Sequence, residues 1–210
     1  MKLFSQTNPF HKKKIYSFCL IILSTVLIIV GVETFSFQSS KAFDIIPSSV
    51  EIASNWQDAS FPVENFQAYT SPFGYRNSPT GGAGREFHSG LDIAAPFGSY
   101  VRNWWGGEIV DLSDNTACGT MVVMKSGPWI HLYCHLNGHI EGNGNQAYLV
   151  DPQGNIRIRK GQQLPGGARI GRVGMTGRTT GPHLHWGLKY RGQYIDPAIV
   201  LRAMYRQQTA

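Results

Sequence analysis

Thr180-Gly181-Pro182-His183-Leu184-His185-Trp186 reads as a turn running into a strand, and the rest of the chain is organised around it. In an extended strand alternate side chains share a face, so His183 and His185 point one way while Leu184 and Trp186 point the other. At roughly 3.3 Å of rise per residue, the two imidazoles stand about 7 Å apart along the backbone and aim at one region. A single pair of this kind is more often solvated or satisfied than metal-binding. Its meaning depends on whether the chain brings further ligands to it.

Outward from this stretch the chain is built of short strands and turns. Extended patterns occupy residues 100–103, 107–112, 120–125, 130–136, 148–150, 156–159 and 183–189, and no long amphipathic helix interrupts them. Asp151-Pro152-Gln153-Gly154-Asn155 has the chemistry of a hairpin turn. With 24 glycines and 11 prolines in 210 residues, and 42% hydrophobic content to fill a core, the expected fold is mainly β. It is an antiparallel β-sheet domain with a groove. Residues 69–95 mix aromatic residues with turn signals and read as a cleft rim. The expected groove walls are residues 76–87 and 138–154. At the far end Asp196-Pro197 reads as a helix N-cap followed by proline at the first helical position. A short C-terminal helix over 197–206 should lie on the sheet through Ile199, Val200 and Met204.

In Ile130-His131-Leu132-Tyr133-Cys134-His135-Leu136, strict alternation puts Leu132, Cys134 and Leu136 on a core face. His131, Tyr133 and His135 then share a polar face that is solvated or lines a site. A turn at Ser126-Gly127-Pro128 would oppose Lys125 to Trp129. Cys118 and Cys134 then fall two residues off register, so a bulge or slip would bring their sulfurs together as a disulfide. The absence of CxxC spacing argues against a cysteine-based zinc site.

The N-terminus carries an address. Lys2 and His11-Lys12-Lys13-Lys14 precede an uncharged apolar run over residues 15–32, the pattern of an export signal or a membrane anchor. Its length suits an anchor, whereas Ser40-Lys41-Ala42 offers the small residues of a cleavage site. Residues 1–42 are therefore a signal peptide or signal anchor, 43–69 a polar linker without period, and the later chain works outside the cytoplasmic membrane. The net charge of +6 divides unevenly: from Thr70 on there are fourteen lysines and arginines against eight acids. A mildly basic exported domain suits an anionic partner such as cell-wall polymer, and no basic stripe suited to nucleic acid is present.

The further ligands lie upstream, where His88-x-x-x-Asp92 joins His183-x-His185. A catalytic zinc centre takes three protein ligands and keeps one position for water. Two imidazoles and a carboxylate satisfy that need, and four candidates leave one histidine over. The same donor set describes non-haem iron oxygenases, but the glycine-rich flanks and the export signal favour hydrolysis.

Ser71-Pro72-Phe73-Gly74-Tyr75-Arg76, Phe87-His88-Ser89-Gly90-Leu91-Asp92, Tyr133-Cys134-His135-Leu136 and Thr176-Gly177-Arg178-Thr179-Thr180-Gly181-Pro182-His183-Leu184-His185-Trp186 resemble the successive motifs of the lysostaphin and LytM-type zinc metallopeptidases, the M23 family. The similarity spans about Thr70 to Pro197 and implies a metallopeptidase-like domain over 70–200. By that resemblance His88, Asp92 and His185 would hold Zn2+. His135 and His183 would be catalytic, acting on the attacking water and the developing oxyanion. Tyr75 or Arg76 would either contact the oxyanion or serve the loop. The implied activity is zinc-dependent hydrolysis of peptide bonds in bacterial peptidoglycan, whose peptides would be the partner, with membrane contact only through the N-terminal segment. The alternative is an inactive LytM-type module that binds the wall or activates another hydrolase, though such modules typically lack ligands. Cys134 stands where a small residue is common in the family. Residues 142–159 form a longer loop that resembles an added hairpin.

Overall fold

The computed structural model describes residues 56–79 and 84–210, so the expected signal or anchor at 1–42 and residues 43–55 of the expected linker lie outside the described residues. From Trp56 onward the stretch read as linker belongs to the packed body. Trp56, Ala59 and Val63 are buried, and the Trp56 ring packs within 5.3 Å of Trp104 and 5.8 Å of Trp129. The periodicity is missing because the stretch is a 3-10 turn and a strap rather than a strand or helix.

Residues 69–95, read as a rim, contain strands. They are β1 (Ala68–Ser71), β2 (Gly74–Asn77), β3 (Arg85–His88) and β4 (Leu91–Ala94). Of these β4 is interior, with Leu91, Asp92 and Ile93 all buried. Its four residues are too few for a period to register beside so many turn residues. There follow β5 (Tyr100–Arg102), β6 (Gly107–Ser113), β7 (Thr120–Ser126), β8 (Trp129–Leu136), β9 (His139–Glu141), β10 (Tyr148–Asp151) and β11 (Ile156–Arg159). The chain closes with β12 (Gln163–Leu164), β13 (Arg169–Arg172), β14 (His183–Tyr190), β15 (Gln193–Ile195) and the helix α1 (Pro197–Gln208).

The main sheet runs β1-β4-β14-β8-β7-β6-β12, with β15 also paired to β14, and its ladders are antiparallel. The mainly antiparallel β architecture with one short C-terminal helix is therefore as the sequence implies. One face of the sheet is apolar. Ile93, Leu184, Trp186, Leu188, Tyr133, Val122, Met124 and Ile109 lie in register along it and are fully buried. Asp196 caps α1 by accepting from the Ala198 N–H at 2.9 Å. The helix buries Val200, Leu201 and Met204, so Leu201 takes the place expected of Ile199. Residues 139–159 form a separate three-stranded sheet, β11-β10-β9, and residues 152–155 make its tight connection with Asn155 in the left-handed region.

The β7–β8 hairpin departs from the expected register. Ser126 pairs with Trp129 and Lys125 with Ile130, one residue beyond the register read from the sequence. Near its far end Val122 pairs with Tyr133 but Thr120 with Leu136, so three steps on β8 oppose two on β7. The surplus residue is a bulge, and His135 absorbs it at φ 61°. Strict alternation consequently fails. His131 and Tyr133 are fully buried on the apolar face, Cys134 lies on the opposite face as the register partner of His185, and the bulge adds His135 to that opposite face and returns Leu136 to the core. The expectation of a polar His131-Tyr133-His135 face is corrected: His131 and Tyr133 lie in register with Leu188 and Trp186 on the core face, and His135 alone, carried across by the inserted residue, lines the groove.

Candidate metal centre

Three adjacent strands bring the candidate ligands together. His185 on β14 is the direct register partner of Asp92 on β4 and of Cys134 on β8, so it stands mid-sheet with its ring on the non-core face. His88 ends β3, and the Ser89-Gly90 turn folds it back over Asp92. Gly90 has to lack a side chain: a Cβ there would lie 2.6 Å from the Trp186 carbonyl oxygen and 2.8 Å from His185 Nε2. The His185 ring thus leans on bare backbone.

The facing atoms are His88 Nε2, Asp92 Oδ1 and His185 Nδ1. Nε2 of His88 lies 3.0 Å from Oδ1 and 2.9 Å from His185 Nδ1, which is itself 2.9 Å from Oδ1. The tautomer of His88 is decided by its other nitrogen, since Nδ1 donates to the Pro72 carbonyl at 2.7 Å and must carry the proton. In the neutral ring Nε2 then offers only a lone pair, pointed at a carboxylate oxygen that also offers only lone pairs. His185 has one proton at most to share between them from Nδ1. Such a concentration of acceptors, buried and held by strands, calls for a cation. These three residues could hold a metal ion, their donor atoms lying within 4.8 Å of one another.

The second oxygen of Asp92 has a separate partner. Arg76 on β2 donates from Nη1 to Oδ2 at 3.0 Å and also bonds the Ser71 hydroxyl. Its Nη2 lies 3.5 Å from Glu86 Oε1, and Glu86 in turn bonds Arg178 at 3.1 Å. Burial alone would raise the Asp92 carboxyl, but the His185 ring, donating to it from Nδ1, and the adjacent His88 ring outweigh burial and hold the group far below the usual carboxylate range. Arg76 orients the Asp92 carboxylate, leaving Oδ1 to face the two imidazoles. Tyr75, on the opposite face of the hairpin, is exposed and packs its ring on Phe87.

His135 and His183 complete the cluster without joining the trio. Their ring centroids are 4.9 Å apart, and His183 Nε2 lies 3.6 Å from Asp92 Oδ1. His183 Nδ1 donates to the Gly181 carbonyl at 2.9 Å, and His135 Nδ1 donates to the Thr176 carbonyl at 2.8 Å. Both rings thereby keep Nε2 available to a ligand. Burial lowers His135 to about 4, against the opposing effect of the Thr176 carbonyl, so the ring is neutral at neutral pH. Burial also lowers His185.

The cluster floors a groove of about 460 Å³. One wall is the β2–β3 hairpin with Arg76, Asn77, Pro79, Glu86 and Phe87, as expected. The other is formed by Ala117, Cys118 and residues 178–180 rather than by residues 138–154, whose added sheet lines a different surface. Cys118 and Cys134 are joined as a disulfide with Cα atoms 5.0 Å apart, on the groove side of the sheet. The roles of Arg76 and of the Thr176 carbonyl went unread in the sequence. Neither belongs to a ligand pattern, and each depends on one loop lying over another.

The fold and cluster define an antiparallel β domain built around a prospective metal site. The sequence model of Peptidase family M23 matches residues 86–197, and the chain belongs to that family. The DD-carboxypeptidase/endopeptidase Mpg of Neisseria meningitidis serogroup B is 38% identical over 132 residues, covering 62% of this chain and 26% of that protein. The peptidoglycan DD-endopeptidase ShyA of Vibrio cholerae is 34% identical over 110 residues, 52% of this chain and 22% of that one. A zinc containing peptidase of Vibrio cholerae of known crystal structure matches with a TM-score of 0.51 and 28% identity, over 65% of this chain and 37% of that chain. The chain thus spans about a quarter of the length of these curated relatives.

Proposed function

We propose that the chain is a zinc-dependent endopeptidase that hydrolyses peptide bonds in bacterial peptidoglycan outside the cytoplasmic membrane. The observation that carries the reading is the set of three candidate ligand atoms, His88 Nε2, Asp92 Oδ1 and His185 Nδ1, meeting within 3.0 Å on the floor of an open groove. Support for zinc comes from the donor set, which suits that ion, and from the zinc containing peptidase among the related structures. The peptidoglycan substrate is carried over from ShyA.

In this reading His88, Asp92 and His185 hold the ion. Zinc would supply Lewis acidity and an acidified water at neutral pH. The remaining work falls to the protein. Arg76 fixes the Asp92 carboxylate so that Oδ1 faces the groove. His135 and His183 present their Nε2 atoms to the groove, with Nδ1 of each held by the Thr176 and Gly181 carbonyls. Such a nitrogen accepts the proton released by the attacking water. Once protonated, it donates a hydrogen bond to the developing oxyanion or passes its proton to the leaving amine. The two rings flank the site, so one can act on the water and the other on the oxyanion. The β2–β3 hairpin and residues 178–180 wall in an extended peptide.

Incubating the zinc-loaded protein with peptidoglycan of several cross-link types, and identifying the soluble muropeptides released, tests the reading. Cleavage that stops on chelation and returns with zinc is expected, and His88→Ala should lose both metal and cleavage. Full zinc occupancy without cleavage of any wall type would overturn it in favour of a wall-binding module.

A further inference from the structure

We propose that the Cys118–Cys134 disulfide is a positioning device for the reaction, holding the β8 bulge that turns His135 into the groove. The inference rests on the reading of His135 as a group that acts on the attacking water or the oxyanion.

The geometry begins with the ladder. In a regular strand, residues two apart share a face, and Tyr133 lies on the apolar face, where its hydroxyl accepts from the Trp104 N–H at 2.8 Å. Without the bulge His135 would follow Tyr133 into that core. It reaches the groove only because β8 carries a surplus residue between its pairings with Val122 and Thr120. A one-residue slip of register moves a side chain to the opposite face, so the bulge decides whether this imidazole is in the site at all.

The bulge is costly to hold. His135 sits at φ 61°, a left-handed conformation that crowds the Cβ of a non-glycine residue against its backbone. Three hydrogen bonds keep it there. Its N–H donates to the Cys118 carbonyl at 2.8 Å, its carbonyl accepts from the Gly174 N–H at 2.9 Å, and its ring donates to the Thr176 carbonyl. The first bond comes from the 115–119 loop, which also receives the Arg178 N–H at the Ala117 carbonyl, 2.8 Å. Gly119 and Gly177 let the two loops touch backbone to backbone: a Cβ on Gly177 would lie 2.3 Å from the Gly119 nitrogen. Residues 114–117 are nonetheless exposed, and no strand ladder spans them. The covalent tie from this loop to β8 is the disulfide, and it enters β8 at Cys134, the residue immediately before the bulge. Cys134 is also the register partner of the expected ligand His185. The tie therefore anchors the 115–119 loop beside both the bulge and the metal trio.

The test compares the full chain, zinc-loaded, in its oxidised form with the double variant Cys118→Ala/Cys134→Ala, and with wild type reduced and then reoxidised. The double variant avoids leaving a lone thiolate beside the ion. Zinc stoichiometry and KM for a soluble muropeptide should stay near wild type while kcat falls on the order of 10- to 100-fold, as expected for a misplaced catalytic group. Amide hydrogen exchange should speed up at His135 and Gly174 but not along the β4–β14 ladder, and reoxidising the reduced wild type should restore kcat. A kcat within about twofold of wild type once the disulfide is gone would overturn the proposal, being too small for a displaced group. So would a fall in kcat accompanied by loss of zinc or of protection across the whole sheet, which would mark a tie that only stabilises the fold. If oxidised wild type cleaves no wall, the proposed function fails instead, and the exchange data alone decide whether the disulfide holds the bulge.

Discussion

Asp92 has two oxygens with two duties. Oδ1 faces His88 and His185, and Oδ2 is held by Arg76 at 3.0 Å, so the carboxylate cannot rotate without breaking one set of contacts. Partners that orient a metal ligand typically contribute 10–100-fold in affinity or activity. Arg76→Met, which keeps the aliphatic bulk and removes the guanidinium, should weaken zinc binding by about that factor with the sheet intact. Competition against a chromophoric chelator measures it, and unchanged affinity would reduce Arg76 to a loop residue. The candidate donors His88, Asp92, His183 and His185 were legible in the sequence because imidazole and carboxylate at strand and turn spacing have few other uses together. Arg76 was legible only as part of a motif. Nothing in Gly74-Tyr75-Arg76 says that the hairpin folds over β4, and that placement is what gives the guanidinium its partner.

At the scale of the element, β8 is where sequence and structure part most instructively. Alternation correctly predicted a strand over 130–136 and two faces for it, but a single left-handed residue interchanges the faces beyond Tyr133. No local signal marks that bulge, since His135 is neither glycine nor asparagine. What stabilises it arrives from the 115–119 and 174–177 loops, far away in sequence. Ahead of the bulge, His131 pairs with Leu188 and Met124 and belongs to the core, fully buried with its ring 4.8 Å from that of Trp104. Burial pushes its pKa down from 6.5 to about 3, so the folded protein keeps it neutral. The unfolded chain protonates it below about 6.5, which makes the unfolded state bind more protons as pH falls. His131 therefore costs stability progressively between pH 6.5 and 3, at up to about 1.4 kcal/mol per pH unit. Denaturant titrations at pH 6.5 and pH 4.5 should show a smaller acid loss for His131→Leu than for wild type. Equal losses would mean that the folded state accommodates the proton.

For the whole molecule, the groove is an open surface on one face of a sheet whose other face carries the core. The domain extends further toward the N-terminus than composition suggests. Trp56 is buried among Trp104, Trp105 and Trp129, and its backbone is clamped to α1, its N–H donating to Gln207 and its carbonyl accepting from Gln208. Trp56→Ala should cost about 3–5 kcal/mol, as removal of a buried aromatic does, and a change below about 0.5 kcal/mol would show that residue to be dispensable strap. The β class, the terminal helix and the four candidate donors His88, Asp92, His183 and His185 could be read from pattern and spacing, while the choice of three among the four came from the family resemblance. The edge of the domain could not, because a non-periodic strap packs by single anchors. The proposed division of labour, three residues on the metal and two beside it, is tested most directly by the zinc stoichiometry of His135→Ala measured together with its peptidoglycan hydrolysis. About one zinc per chain, as three intact ligands require, with cleavage reduced on the order of 10²-fold or more, is the expected result. Loss of zinc from that variant, or undiminished cleavage, would contradict it.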